Sequence, residues 1–279
     1  MRARFPLRPR LLLSIAAAGV GLLFLLPVLW MLSSAFRPES EIFTYLSPLS
    51  VHTILPKTWT VASFTAVLHG GLPRTIFNSM LVGLATALLG VVVSATAAFA
   101  LAVLNMRFRR ALFALVVISF SVPFDILAIP LASNFRQWGL ANSYAGLILP
   151  GLANGLAIFL LRQFFLGIPV ELKEAALVDG APWLRIFWSI YLPLTRPALI
   201  SAGLILFTFQ WQAYLWPLLI ATNPKIQLGP VYVAGLSNLY AVHFGQIFAA
   251  CVLLCVIPTA LMLYLQRTFT QSVATSGIK

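Results

Sequence analysis

The chain has 279 residues, 61% of them hydrophobic and 9% charged, with a mean hydropathy of +0.97 and a formal net charge of +12. So apolar a composition excludes a soluble domain that covers itself with polar surface. The positive charge does not form a nucleic-acid footprint either, because the basic residues are spread along the chain instead of clustering on one soluble face.

Apolar runs able to cross about 30 Å of hydrocarbon as helices are predicted at 11–32, 77–104, 111–132, 143–161, 198–221 and 244–265. The expectation is an all-α polytopic membrane protein with six transmembrane helices. Arg2, Arg4, Arg8 and Arg10 precede the first run, and Ser33-Ser34-Ala35 follows it, as in a secretory signal. The run from Leu11 to Leu32 exceeds a usual signal core, so it is read as a retained span with Trp30 near the outer interface. The segment 33–74 carries Pro38, Pro48, Pro56 and Pro73 and one amphipathic stretch, Val61 to Leu68, and reads as a lid or belt and not a separate domain. The second span is rich in small residues, among them Ser79, Gly83, Ala87 and Gly90, which predicts close helix packing. Gly151 and Gly155 in the fourth predict a further helix contact. Cys251 and Cys255 sit four apart on one helix, unsuited to a disulfide, and are read as buried packing. His52, His69 and His243 are isolated in sequence and support no metal site.

The basic residues sort by side. Thirteen flank the N-terminus, the second-to-third connection (Arg107, Arg109, Arg110), the segment around Lys173, and the C-terminus, against five (Arg37, Lys57, Arg74, Arg136, Lys225) on the other side. The positive-inside bias then places both termini in the cytoplasm. The organisation expected is one transmembrane domain over 1–279, with a cytoplasmic N-tail 1–10, a helix-turn-helix elbow at about 169–197 and a cytoplasmic C-tail 267–279. No linker or internal repeat divides it.

The elbow is the most charged interruption in the chain. Val170 to Val178 lacks Gly and Pro, and places Leu172, Ala176 and Leu177 opposite Lys173 and Glu174, which predicts a short amphipathic helix. Gly180 stops it. Pro182 suits the first turn of a second short helix, which Pro193 and Pro197 limit. Ala175 and Ala176 let another surface approach closely, and Glu174 offers a carboxylate for an Arg on a partner. The alternative is an anchor on the lipid surface, with Trp183 and Trp188 at headgroup level.

The pattern Glu174-Ala175-Ala176, Asp179-Gly180-Ala181, then Leu192-Pro193-Leu194 and Pro197, resembles the "EAA" loop of membrane subunits of ATP-binding-cassette importers. Pro56-Lys57-Thr58-Trp59-Thr60, Phe77-Asn78-Ser79, Pro123-Phe124, Ile129-Pro130-Leu131, Gly146 through Pro150 and Leu215 through Leu219 extend the likeness over about Leu11 to Phe269, to the carbohydrate-uptake, maltose-permease G-like branch. The resemblance implies a permease in a bacterial or archaeal plasma membrane, paired with a second permease, driven by two ATPase subunits that bind ATP and Mg, and fed by an external solute-binding protein. It assigns ATPase coupling to Glu174, Ala175, Ala176, Asp179, Gly180, Ala181, Leu192 and Pro193. It also makes 222–243 the loop that touches the binding protein. The chain has no G-x-x-x-x-G-K-[ST] phosphate loop, so no ATP cofactor is expected on it and it is not expected to be an enzyme.

Candidate pathway residues follow from polarity at membrane depth. Asp125 is the one acidic residue inside a predicted span and should face a watery cavity or pair with Arg136 or a sister subunit. Gln210, Gln212, Tyr214 and Trp216 combine amides with aromatic faces, as a polyol ligand requires. On a continuous helix Gln210 and Tyr214 share one face and Gln212 and Trp216 another, so one pair alone would line a pore. Asn154 suits the pathway or an interhelical hydrogen bond. A neutral sugar-like solute fits best. A glycerophosphate-type solute would favour buried cations and a polyamine-type one more acids. A membrane-embedded enzyme or stand-alone carrier is the remote alternative, since no catalytic constellation lies at membrane depth.

Overall fold

The computed structural model describes the backbone of residues 7–237 and 242–276 and the side chains of 12–237 and 242–266; Arg2, Arg4 and Lys279 lie outside the described residues. In chain order the α-helices are α1 (Leu7–Ala35), α2 (Ala62–His69), α3 (Leu72–Val103), α4 (Arg109–Ser121), α5 (Phe124–Gln137), α6 (Tyr144–Leu152) and α7 (Gly155–Leu166). They continue with α8 (Val170–Val178), α9 (Trp183–Ile186), α10 (Leu192–Leu194), α11 (Arg196–Gln212), α12 (Leu215–Ile220), α13 (Gly229–Gly235) and α14 (Phe244–Ser276). No strand occurs among the described residues; backbone groups are satisfied within helices, as a chain in hydrocarbon requires. Among the described residues, three helices are long and apolar enough to span a membrane, and up to six spans result if each of three bent pairs counts as one.

Three of the six expected spans are interrupted within the apolar zone. The third is broken into α4 and α5, which meet at 94°. Val122, held extended (ψ 121°) by the following Pro123, ends the first half. The fourth bends by 44° between α6 and α7. The fifth stops at Ala213 (ψ 126°) and resumes as α12. Each break opens a helix end inside the apolar zone, where polar groups must find partners.

The described residues form two compact units. One comprises those of Met1–Leu72 with Val233–Cys255. Large apolar side chains of α1, such as Leu23 and Phe24, are two-thirds or more exposed, as a lipid-facing helix requires. Trp30 lies edge-on to Phe248 at 5.3 Å, and Phe43 edge-on to Phe244 at 4.7 Å. Glu39 accepts from the backbone N–H groups of Phe244 (2.7 Å) and Gly245 (2.9 Å), so it caps the start of α14 across more than 200 residues of sequence. Arg37 is 1% exposed; its Nη2 donates to Ser33 Oγ and the Thr53 carbonyl, and burial, partly offset by Glu41, holds its pKa below the ordinary guanidinium value. The belt helix expected at Val61 to Leu68 is α2. Cys251 is half-buried and Cys255 exposed, which corrects the expectation that both are buried packing.

The other unit comprises Pro73–Tyr232 with the described residues of Val256–Lys279. Here α4 packs on α7, α7 on α11, and α5 and α6 on α12. The small residues expected to allow close packing do so. A Cβ on Gly90 would meet Leu206 Cδ1 at 2.9 Å, and one on Gly155 the Val116 carbonyl at 2.9 Å. Asn78, 1% exposed, fixes three elements at one end: Nδ2 donates to the carbonyls of Lys225 and Gln227, and Oδ1 accepts from the Tyr144 hydroxyl at 2.7 Å.

Candidate functional site

The broken helices of the second unit enclose a cavity of about 670 Å³, to which Asp125, Asn154, Gln210, Tyr214 and Trp216 all contribute. Gln212 is exposed and does not line it. The helix that would separate these residues onto two faces is broken between them. Because α11 ends at Gln212 and the chain turns at Ala213, Tyr214 and Trp216 are redirected, and both join Gln210 at the same void.

Each lining group has a local reason for its position. Asp125 sits in the first turn of α5, just past the 94° break, where the positive helix end stabilises a carboxylate. It is exposed and does not pair with Arg136, whose Nη2 donates to the Leu219 carbonyl at 2.9 Å. Asn154 is the N-cap of α7: Oδ1 accepts from the Ala157 N–H at 3.0 Å, so the hydrogen bond it makes is a cap and not the interhelical one considered from sequence. Trp216 is 5% exposed; its indole N–H donates to the Gly146 carbonyl, and its ring meets Phe124 and Phe135 edge-on. Its polar atom is already engaged.

Gln210 differs. Its side chain is 9% exposed, Oε1 lies 3.2 Å from where a Cβ on Gly151 would stand, and Nε2 has no hydrogen-bond partner. Thr86 on α3, 2% exposed and on the same wall, also has an unpartnered hydroxyl. A buried donor without a partner costs about 1–3 kcal/mol, so these two groups form a polar shelf whose hydrogen bonds are unmade. Sequence reading missed Thr86; its one signal was a hydroxyl between the glycines of the small-residue stripe, Gly83 and Gly90. Among the described residues, no Lys or Arg lines the cavity.

The elbow is the second part of the site. Helix α8 runs Val170–Val178, as expected, and ends in a Schellman motif: the Gly180 N–H donates to the Leu177 carbonyl (3.0 Å) and the Ala181 N–H to the Ala176 carbonyl (2.9 Å), with Gly180 at φ +74°. This geometry explains the spacing of Ala176, Asp179, Gly180 and Ala181. Pro193 does not limit the second limb. It lies inside a continuous turn of α9, a π-helical stretch Phe187–Tyr191, and α10, where the wider turn accommodates the missing proline N–H. The limb ends at Thr195, and the chain turns by 83° into α11. Phe187 and Tyr191 lie 5.1 Å from Phe99 of α3, and Tyr191 is edge-on to Phe165 of α7 at 5.6 Å, all four buried. None of the residues of α8 is buried, Glu174 and Ala175 are exposed, and a cleft of about 270 Å³ lined by Ala176, Asp179, Ala181 and Arg185 separates the two limbs. One limb is thus anchored to the transmembrane helices while the other presents a bare face.

Residues 90–275 match the family described as binding-protein-dependent transport system inner membrane component. The chain belongs to that family: it is a multi-pass, inner-membrane permease subunit of the ATP-binding-cassette importer type. Among its relatives, the arabinooligosaccharides transport system permease protein AraQ of Halalkalibacterium halodurans is 31% identical, over 96% of each chain. The sn-glycerol-3-phosphate transport system permease protein UgpE of Agrobacterium fabrum is 33% identical over 78% of this chain and 81% of that one. The fold is that of a chain of a bacterial ABC transporter involved in the import of the acidic polysaccharide alginate, with TM-score 0.75 and 22% identity, over 95% of this chain and 98% of that chain. A chain of the MetNI methionine ABC transporter, inward facing, matches with TM-score 0.57 and 20% identity over 76% of this chain and 98% of that one.

Proposed function

We propose that the chain, acting as one permease domain over 1–279, forms one wall of the pathway for a neutral, hydroxyl-rich solute of the sugar kind. A second permease completes the pathway, two ATPase subunits carrying ATP and Mg drive it, and an external binding protein supplies the solute. Both termini and the elbow face the cytoplasm, in line with the thirteen-to-five distribution of basic residues.

The observation that carries the solute class is the lining of the 670 Å³ cavity, which combines amide, hydroxyl and aromatic groups with one carboxylate and no cation. The Gln210 amide donates to a solute hydroxyl, Thr86 donates or accepts, Asp125 accepts, and Tyr214 offers a ring face. The likeness to AraQ, named for arabinooligosaccharides, supports this class. The likeness to UgpE, named for sn-glycerol-3-phosphate, favours a second reading, but a phosphate here would meet a carboxylate with no Lys or Arg to offset it. The bare face of α8, with Glu174, Ala175 and Ala176, docks on the ATPase, and the aromatic contacts of Tyr191 and Phe187 carry its displacement to α3 and α7.

The test is ATP hydrolysis by the complete transporter in lipid vesicles, presented with binding protein and a panel of neutral oligosaccharides, glycerophosphates and polyamines. Stimulation by a neutral saccharide alone supports the reading. Stimulation by a glycerophosphate or polyamine, with saccharides inert, overturns it.

A further inference from the structure

A second concavity, which meets the pathway cavity only at Ser119, lies where the last turns of α3 meet α4. It has a volume of about 550 Å³, opens widely to the surface, and is lined by Ala97, Ala100, Leu101, Leu112, Leu115 and neighbouring residues. Its one hydroxyl, on Ser119, already donates to the Val116 carbonyl at 2.7 Å, so the groove offers a ligand no free side-chain donor. Its wall is soft and hydrocarbon-like.

The rim at the start of α4 is the opposite. Arg107, Arg109 and Arg110 gather there, no Asp or Glu occurs in the sequence between Glu41 and Asp125, and the first turn of α4 holds no acid. Basic side chains at a helix N-terminus oppose the helix dipole and one another, so the arrangement is unfavourable unless an anion joins it. Two arginines of the region are partly committed: Arg109 Nη1 donates to the Ala102 carbonyl and Arg162 Nε to the Leu101 carbonyl, which closes the end of α3. Arg107 lies against the exposed Phe108 ring at 5.5 Å, and among the described residues neither it nor Arg110 meets a carboxylate.

We infer that this groove and its rim bind a single phospholipid with an anionic headgroup, one acyl chain lying along Ala100, Leu112 and Leu115 and the phosphate held by Arg107 with the free N–H groups of Arg109 and Arg110. Charge and shape agree on that occupant: guanidinium groups match phosphate oxygens bidentately, and an open apolar trough continuous with the bilayer suits a chain that never leaves hydrocarbon. The lipid acts as the missing counter-anion between α3 and α4. The inference needs membrane residence, which family membership provides, and is independent of the solute.

The test is native mass spectrometry of the full chain, extracted in mild detergent and titrated in parallel with phosphatidylglycerol and with phosphatidylcholine of identical acyl chains. One phosphatidylglycerol per chain is expected to be retained about tenfold more strongly than phosphatidylcholine, and this preference is expected to vanish in an Arg107→Gln, Arg110→Gln double variant. Glycerophosphoglycerol, the same headgroup without acyl chains, is expected not to compete. Equal retention of the two lipids, or a preference unchanged in the double variant, overturns the inference and leaves the arginines as topology determinants. Release of the lipid when the chain is isolated together with a second permease also overturns it, and assigns the groove to a subunit contact.

Discussion

At the scale of the residue, Gln210 and Thr86 bury polar groups whose hydrogen bonds are unmade, which the proposed pathway role would account for. Both are buried with unpartnered polar atoms on the wall of one cavity. Gln210→Met and Thr86→Val keep the approximate shape while removing the unmet group, so each is expected to leave stability unchanged or raise it by about 1 kcal/mol. The same variants are expected to weaken solute-dependent ATP hydrolysis at least severalfold. Thermal unfolding and the hydrolysis assay on one preparation separate the two effects; lost stability together with unchanged hydrolysis would make the shelf structural. Glu39 is the reverse case, a residue spent on architecture. Glu39→Ala removes the cap from Phe244 and Gly245 and is expected to cost about 1 kcal/mol, discounted for its exposure. Faster hydrogen exchange at the first amides of α14 is the readout.

At the scale of the element, Gly180 carries the elbow. At φ +74° a Cβ is penalised by about 1 kcal/mol even though nothing crowds the position. Gly180→Ala is therefore expected to fray the end of α8 and Gly180→Asn to be tolerated better, as measured by protease sensitivity of the elbow; equal sensitivity of the two variants would contradict the Schellman assignment. This element was legible in the sequence because its determinants are local: a Gly, a Pro and a run between them fix the start, stop and cap of α8. The pathway was less legible because its determinants are breaks. Pro123 announces the end of α4, but nothing in Gln212-Ala213-Tyr214 marks the turn that brings Tyr214 and Trp216 to the cavity and leaves Gln212 outside. Pro193 was misleading in the other direction, since a π turn upstream absorbs it. Helical periodicity assumes an unbroken helix, and here the polar residues concentrate where that assumption fails.

At the scale of the whole molecule, the distribution of surface defines dependence on others. Apolar side chains of α1 face outward, α8 has no buried residue, and the cavity is lined by a carboxylate with no basic side chain beside it. On the proposed reading, a chain with this surface draws its energy from a partner through the elbow, which is anchored on one limb and bare on the other. The most direct measurement is gentle extraction of the tagged chain from its native membrane, with every co-purifying polypeptide identified by mass, alongside a Glu174→Lys variant. The expected result is recovery of a P-loop ATPase and a second multi-span permease with the native chain, and of the permease without the ATPase with the variant. Recovery of the native chain alone, from membranes in which other complexes survive extraction, would contradict the account and leave the elbow as a lipid-surface anchor.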